Sequence, residues 1–309
     1  KTMTNSVKSI FSEIEFLDAY KRINPNYILD LFLGVNQINQ YTLLVLSTKE
    51  LKPFKSTTLI NCIIAIRKDG NYALTISLKD EKYLDIFSTM CEDLVSFSVA
   101  TKIYDKALER LYIRYNEWVK LFGKKPIELL SYPEMKGLLG ELLCIKSYLI
   151  HNYTSEDIIN SWIGPDYADQ DFIFSDMWYE VKTTVSGATS VKISSVEQLD
   201  TGNDGKLVIV YLDKSSIADS NRITLNALVD EIENIFIDED SKIKYRNLLL
   251  SNGYFKDEYY DQFSFKLSNI NLYNVCATFP CIRKKQLPNT VSNVHYDLML
   301  NSISLFKEE

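Results

Sequence analysis

The residues best equipped for chemistry in this chain lie within twelve positions, DFIFSDMWYEVK at 171–182. A two-residue turn at Ser175 and Asp176 pairs Phe174 with Met177 and carries the ladder back until Asp171 stands opposite Glu180. Directly opposed residues of an antiparallel pair project to one face with Cβ atoms roughly 4.5–5.5 Å apart, and like charges so placed repel. A divalent cation held between the oxygens offsets that repulsion, and Lys182 joins the same face by the strand period of two. Two carboxylates and a lysine so arranged are a geometry for metal-assisted hydrolysis. The bland alternative is a strand with a charged outer face, in which Tyr179 and Val181 are core and Glu180 and Lys182 do no chemistry. Ser-Asp lacks the glycine that two-residue turns favour. A symmetric four-residue loop keeps the pairing and a three-residue loop shifts it, so register decides between the readings.

A fourth carboxylate candidate comes from the element before this hairpin. Ser131, Pro133 and Glu134 spell a helix start, with serine and glutamate at capping-box spacing and proline in the first turn. The helix is expected to run through GLLGELLCIKSYLI. Leu138 three residues before Glu141 and Ile145 four after it put this glutamate within the apolar surface. Gly137 and Gly140 flank it at a cost of roughly 1 kcal/mol each relative to alanine, which points to a close approach by another element. A glutamate reaching out to water from a largely apolar helix is the competing reading. Downstream, SVKISSVEQL (190–199) reads as a short strand followed by a helix opening at Ser195, with Gln198 at capping-box spacing. KLVIVYL (206–212) has the continuous apolar pattern of a strand buried on both faces. The expected order is helix, strand, strand, strand, helix, strand.

That order, with a helix glutamate, an aspartate opening a strand, Glu-x-Lys on the next strand and a helix-borne glutamine, resembles the PD-(D/E)XK nuclease superfamily. More closely, the chain resembles the PD-(D/E)XK proteins encoded in bacterial restriction and anti-phage defence loci. The likeness includes RINPNYILDLFLG near the start, LDIFSTMCEDLV at 84–95 and FPCIRKKQLPNTVSNVHYDL at 279–298. It implies an α/β (α+β) fold with a restriction-endonuclease-like core. It also implies hydrolysis of DNA phosphodiester bonds by a metal-activated water, leaving 5′-phosphate and 3′-hydroxyl ends.

Carried over residue by residue, the resemblance implies that Asp171 and Glu180 bind Mg²⁺, for which Mn²⁺ substitutes, with the backbone carbonyl of Val181 as a further ligand. Lys182 positions or helps deprotonate the attacking water. Glu141 holds the metal directly or through water, and Gln198 orients the lysine or touches phosphate. Pro165-Asp166 spells the motif's first two letters but sits in a polar loop five residues before the strand, and is read as a decoy. Asp169, just outside the strand start, is a second rival to Asp171.

Composition bounds these readings. The 309 residues are 46% hydrophobic, enough for a sizeable core in one large domain or two smaller ones. No apolar run approaches the ~20 residues of a spanning helix and no signal segment opens the chain, so a soluble, cytoplasmic protein is expected. Cys62, Cys91, Cys144, Cys276 and Cys281 show no CxxC pairing, and His151 and His295 are isolated; neither a zinc site nor a nucleophile triad is indicated. The net charge of −7 argues against strong intrinsic DNA binding, since phosphate contacts come from clustered lysine and arginine. Two local basic clusters exist, Lys120 with Lys124 and Lys125, and Arg283 with Lys284 and Lys285; ordinary solvated surface charge explains each equally well.

Three regions are expected: a β-rich N-terminal part with helices (1–125), the nuclease core (126–215) and a C-terminal helical segment with closing strands (216–309). The first holds strands at 41–47, 61–67 and 71–78, the last two joined by a Lys-Asp-Gly turn, and an amphipathic helix over 102–122. The last holds helices at 224–236 and 240–252, then strands in YNVCATFPCIR and SNVHYDLML, with Pro280 at an edge or bulge. Two functions fit: a Mg²⁺-dependent endonuclease of a restriction or anti-phage system, or a nuclease-fold subunit acting as the scaffold of a multiprotein defence complex. Expected partners are DNA, a methyltransferase, ATPase or helicase encoded nearby, and a second copy in a homodimer.

Overall fold

The apolar runs of the first third of the chain become neighbouring strands of one antiparallel sheet. The structure, a computed structural model, describes residues 7–124, 129–163, 169–216 and 218–308. The chain divides into two units at Leu129/Leu130. The first contains α1 (Val7–Ser12), β1 (Ala19–Arg22), β2 (Asp30–Val35), β3 (Tyr41–Ser47), β4 (Ile60–Ile66), β5 (Tyr72–Leu78), α2 (Leu84–Val99) and α3 (Tyr104–Lys124). Its sheet has the order β1-β2-β3-β5-β4. The three expected strands are found, and RINPNYILDLFLG supplies parts of two more. The amphipathic helix expected over 102–122 is α3, whose Leu111, Tyr115 and Trp118 are fully buried.

The second unit opens with α4 (Tyr132–Cys144), a π-helical turn (Ile145–Leu149) and α5 (Ile150–Asn152), then α6 (Ser155–Ser161). Glu134 Oε2 accepts from Ser131 N at 2.9 Å and from Ser131 Oγ at 2.6 Å, so the expected start of α4 is present. The expected continuous helix is instead interrupted by the π turn, which brings the Tyr148 ring to 5.9 Å from that of Tyr179. The core strands are β6 (Phe172–Ile173), β7 (Trp178–Thr184), β8 (Ser190–Ile193) and β9 (Gly205–Lys214). They are followed by α7 (Leu225–Ile235), α8 (Glu239–Ser251), β10 (Phe265–Val275) and β11 (Tyr296–Met299). The main sheet runs β10-β9-β7-β6, with β9 parallel to β7 and the outer pairs antiparallel. β9 is buried on both faces over most of its length, as its apolar run requires. α8 ends where Gly253, at φ 80°, donates to Leu250 O while Tyr254 N donates to Leu249 O, a Schellman closure.

Three expectations change. β8 leaves the main sheet and pairs with β11, Ile193 opposite Tyr296 and Ser190 opposite Met299. The helix expected after it is a single 3₁₀ turn, Val196–Gln198. Val196 and Leu199 are buried beside Ile193 and Leu207, and the turn-forming Thr201-Gly202-Asn203-Asp204-Gly205 stretch leaves no room for a second helical turn. The strand expected across YNVCATFPCIR stops at Val275, and Pro280 lies beyond it in a turn region. Among the described residues no helix is long and apolar enough to cross a membrane.

Candidate active site

The hairpin adopts the register that places Asp171 opposite Glu180. Phe172 pairs with Tyr179 and Ile173 with Trp178, and Phe174 N donates to Met177 O at 2.8 Å across the Ser175-Asp176 turn. Asp171 sits just ahead of β6, and its Oδ2 accepts the Val181 N–H at 2.7 Å. Asp169 is exposed, and the hydrogen bond to β7 is made by Asp171. Pro165 and Asp166 lie outside the described residues.

Glu180 is 1% exposed. Its Oε1 pairs with Lys182 Nζ at 2.5 Å, and its Oε2 makes no hydrogen bond among the described residues. Lys182, with a side chain 16% exposed, also donates to Gln198 Oε1 at 3.1 Å, and the same oxygen accepts Ser194 N at 2.8 Å. Gln198 thus reaches the lysine from a 3₁₀ turn held from two sides. Gln170 Nε2 donates to Glu197 O and Gln198 O, and Arg283 Nη1 donates to Leu199 O and Asp200 Oδ1.

Glu141 approaches from α4, its Oε2 accepting the Trp162 indole N–H at 2.7 Å. Gly140 explains how α4 comes so near β7: a Cβ there would stand 2.0 Å from Thr183 Oγ1 and 3.5 Å from a Val181 methyl. At Gly137, by contrast, an added Cβ meets nothing within 4 Å, so close approach accounts for only one of the two glycines.

The electrostatics follow from this crowding. Burial pushes Glu141 and Glu180 well above the ordinary glutamate range, with the Asp171 charge adding to each; the Trp162 N–H and Lys182 oppose the shift at Glu141, and Lys182 opposes it at Glu180. Burial raises Asp171 as well, against the Val181 N–H and Lys182. Three carboxylates therefore share Lys182, which cannot neutralise all of them. Among the described residues no group of three or more histidine, cysteine, aspartate or glutamate side chains already stands at metal-holding spacing. In this arrangement Lys182 and the Val181 N–H each occupy one carboxylate oxygen. The donor set nevertheless fits a hard divalent cation: the candidate ligands are all oxygen, three carboxylates crowd one lysine, and Glu180 Oε2 is an acceptor lacking a donor among the described residues.

Two contributors escaped the sequence reading. Trp162 follows α6, whose Thr154–Asp157 capping box is visible in the sequence, but nothing local says where its indole points. Gln170 carries no motif at all. In the basic clusters, Arg283 is held by Leu199, Asp200 and Cys276, while Lys284 Nζ, 3.4 Å from Glu197, and Lys120, paired with Glu117 at 2.8 Å, remain largely exposed. The Lys124 side chain and Lys125 lie outside the described residues. All five cysteines are free thiols, with Cys144 fully buried in α4.

No curated protein matches the chain, and no solved structure does. A family model does match, over residues 7–301, nearly the whole length and both units. The α+β architecture is consistent with that family, and the chain belongs to it: DUF4420, described as "Putative PD-(D/E)XK family member".

Proposed function

We propose that the protein is a divalent-metal-dependent endonuclease that hydrolyses DNA phosphodiester bonds in a bacterial restriction or anti-phage system. The observation that carries this reading is the cluster in which Glu141, Asp171 and the buried Glu180 share Lys182, while Glu180 Oε2 lacks a donor among the described residues. Asp171 and Glu180 would hold Mg²⁺ or Mn²⁺, with the Val181 carbonyl and Glu141 completing the set. When bound, the cation supplies charge neutralisation on phosphate and lowers the pKa of water. Lys182, steered by Glu180 and Gln198, directs its remaining N–H groups at the attacking water or the phosphate oxygens. The buried walls keep these dipoles fixed, so little reorganisation accompanies the reaction.

The test is cleavage of plasmid, phage and modified DNA with and without Mg²⁺ or Mn²⁺, by the protein alone and with the products of neighbouring genes. Lys182→Met and Asp171→Asn should each lower cleavage, or phage protection in cells, by roughly 10²–10⁴-fold at wild-type expression. The second reading, a scaffold subunit of a larger defence assembly, is favoured by the net charge of −7 and by the engagement of Arg283 with Leu199, Asp200 and Cys276. Full protection by both variants would leave that reading standing and remove the first. A neighbouring methyltransferase gene supports restriction; an ATPase or helicase gene supports the assembly.

A further inference from the structure

Trp162 is 2% exposed and belongs to no catalytic motif, yet it joins the two elements that carry the outer carboxylates of the cluster. On one side its indole N–H meets Glu141 Oε2 at 2.7 Å. On the other its backbone bridges Phe172 in antiparallel fashion, and Ile163 N donates to Asp171 O at 3.2 Å. The ring is held in place by Phe172, nearly parallel with centroids 6.2 Å apart, and by Tyr245 of α8 at 6.0 Å. An indole nitrogen is a donor only. It therefore commits Oε2 of Glu141 in one orientation and leaves Oε1 for other partners. A rigid, buried donor on a candidate ligand is the usual device by which an outer shell sets ligand orientation.

We propose that Trp162 is the positioning residue of the cluster, its indole N–H fixing Glu141 relative to Asp171 for a shared divalent cation. The inference rests on reading the cluster as a metal centre. Trp162→Phe keeps an aromatic ring between Phe172 and Tyr245 and removes only the donor. Calorimetric titration of the full chain with Mn²⁺ should show roughly 10- to 100-fold weaker binding for this variant than for wild type. In a Glu141→Gln background the same substitution should cause no further loss, because the oriented ligand is already gone. Should the phenylalanine variant fail to fold, the wild-type protein still decides. The indole ¹H–¹⁵N resonance of Trp162, assigned among the three tryptophans, should shift on adding Mg²⁺, and should differ between wild type and Glu141→Gln.

Wild-type Mn²⁺ affinity in Trp162→Phe, an equal loss in the Glu141→Gln background, or an indole resonance unmoved by Mg²⁺ that wild type binds would overturn the proposal. Absence of Mn²⁺ binding by wild type itself would instead remove the metal-centre reading on which it rests.

Discussion

Asp93 in the first unit and Glu141 in the second each accept an indole N–H at 2.7 Å, from Trp118 and Trp162. Around Asp93 the account closes. Arg114, 5% exposed, donates Nε at 2.6 Å and Nη2 at 3.1 Å to its two oxygens, and the guanidinium lies 5.3 Å from the Phe97 ring centroid. One half-buried anion meets one buried cation through a bidentate contact, which is what holding α2 against α3 requires. Around Glu141 the balance is left open: Asp171 and Glu180 add two more carboxylates, Lys182 serves all three, and one oxygen of Glu180 has no donor among the described residues. A cluster built for stability alone gains nothing from that surplus, whereas one built to receive a cation depends on it.

Substitution should separate the two clusters sharply. Asp93→Asn strips Arg114 of its carboxylate in the interior and is expected to cost about 3–5 kcal/mol in urea denaturation. Glu180→Gln, although it alters an even more buried carboxylate, should leave the metal-free protein equally stable or more stable, by up to ~2 kcal/mol, while eliminating activity. Equal destabilisation by both variants would mean that the second cluster is as structurally balanced as the first.

The pH dependence of stability sharpens the same contrast. Glu141, Asp171 and Glu180 have folded-state pKa values raised above their ordinary 4.5, 3.8 and 4.5. The folded protein therefore binds more protons than the unfolded chain above those values, and stability falls as pH rises through the raised range. Asp213, half-buried at the end of β9, works oppositely. Held at about 2 by Ser186 and Ser268, it contributes stability that is lost as pH falls from 3.8 towards 2. The metal-free protein should thus lose stability on the alkaline side of the carboxylate range. Glu180→Gln should flatten that limb, and Mg²⁺ should do the same in wild type. A limb unchanged in both would contradict the buried surplus charge.

Smaller effects distinguish the two glycines of α4. Gly140→Ala forces a methyl onto Thr183 and should cost about 1–3 kcal/mol, partly relieved by adding Thr183→Ala. Gly137→Ala meets open space and should stabilise the helix by up to ~1 kcal/mol. Thermal melts of the three variants check both.

What the sequence disclosed, and what it did not, follows the range of the forces involved. The Asp171–Glu180 register was legible because alternation and a short symmetric turn are local. So were the Ser131–Glu134 cap of α4 and the doubly buried β9. The partner of β8 was not legible, since β11 lies about a hundred residues away and four-residue strands carry little pairing information. The one-turn fate of Val196–Gln198 depends on burying Val196 and Leu199 together, which capping-box spacing alone misrepresents. Trp162 was out of reach for the same reason: its role is set by where α6 delivers it, through contacts with Phe172 and Tyr245 that no spacing encodes.

The central claim is that the unbalanced cluster is a divalent-cation site. It is tested most directly by crystals of the wild-type protein soaked in Mn²⁺ and measured at a wavelength where manganese scatters anomalously. The account predicts a peak within bonding distance of carboxylate oxygens from both Asp171 and Glu180, and its loss in Asp171→Asn. A peak held by Asp169 or Asp166 instead, or no peak at the cluster at millimolar Mn²⁺, would contradict it.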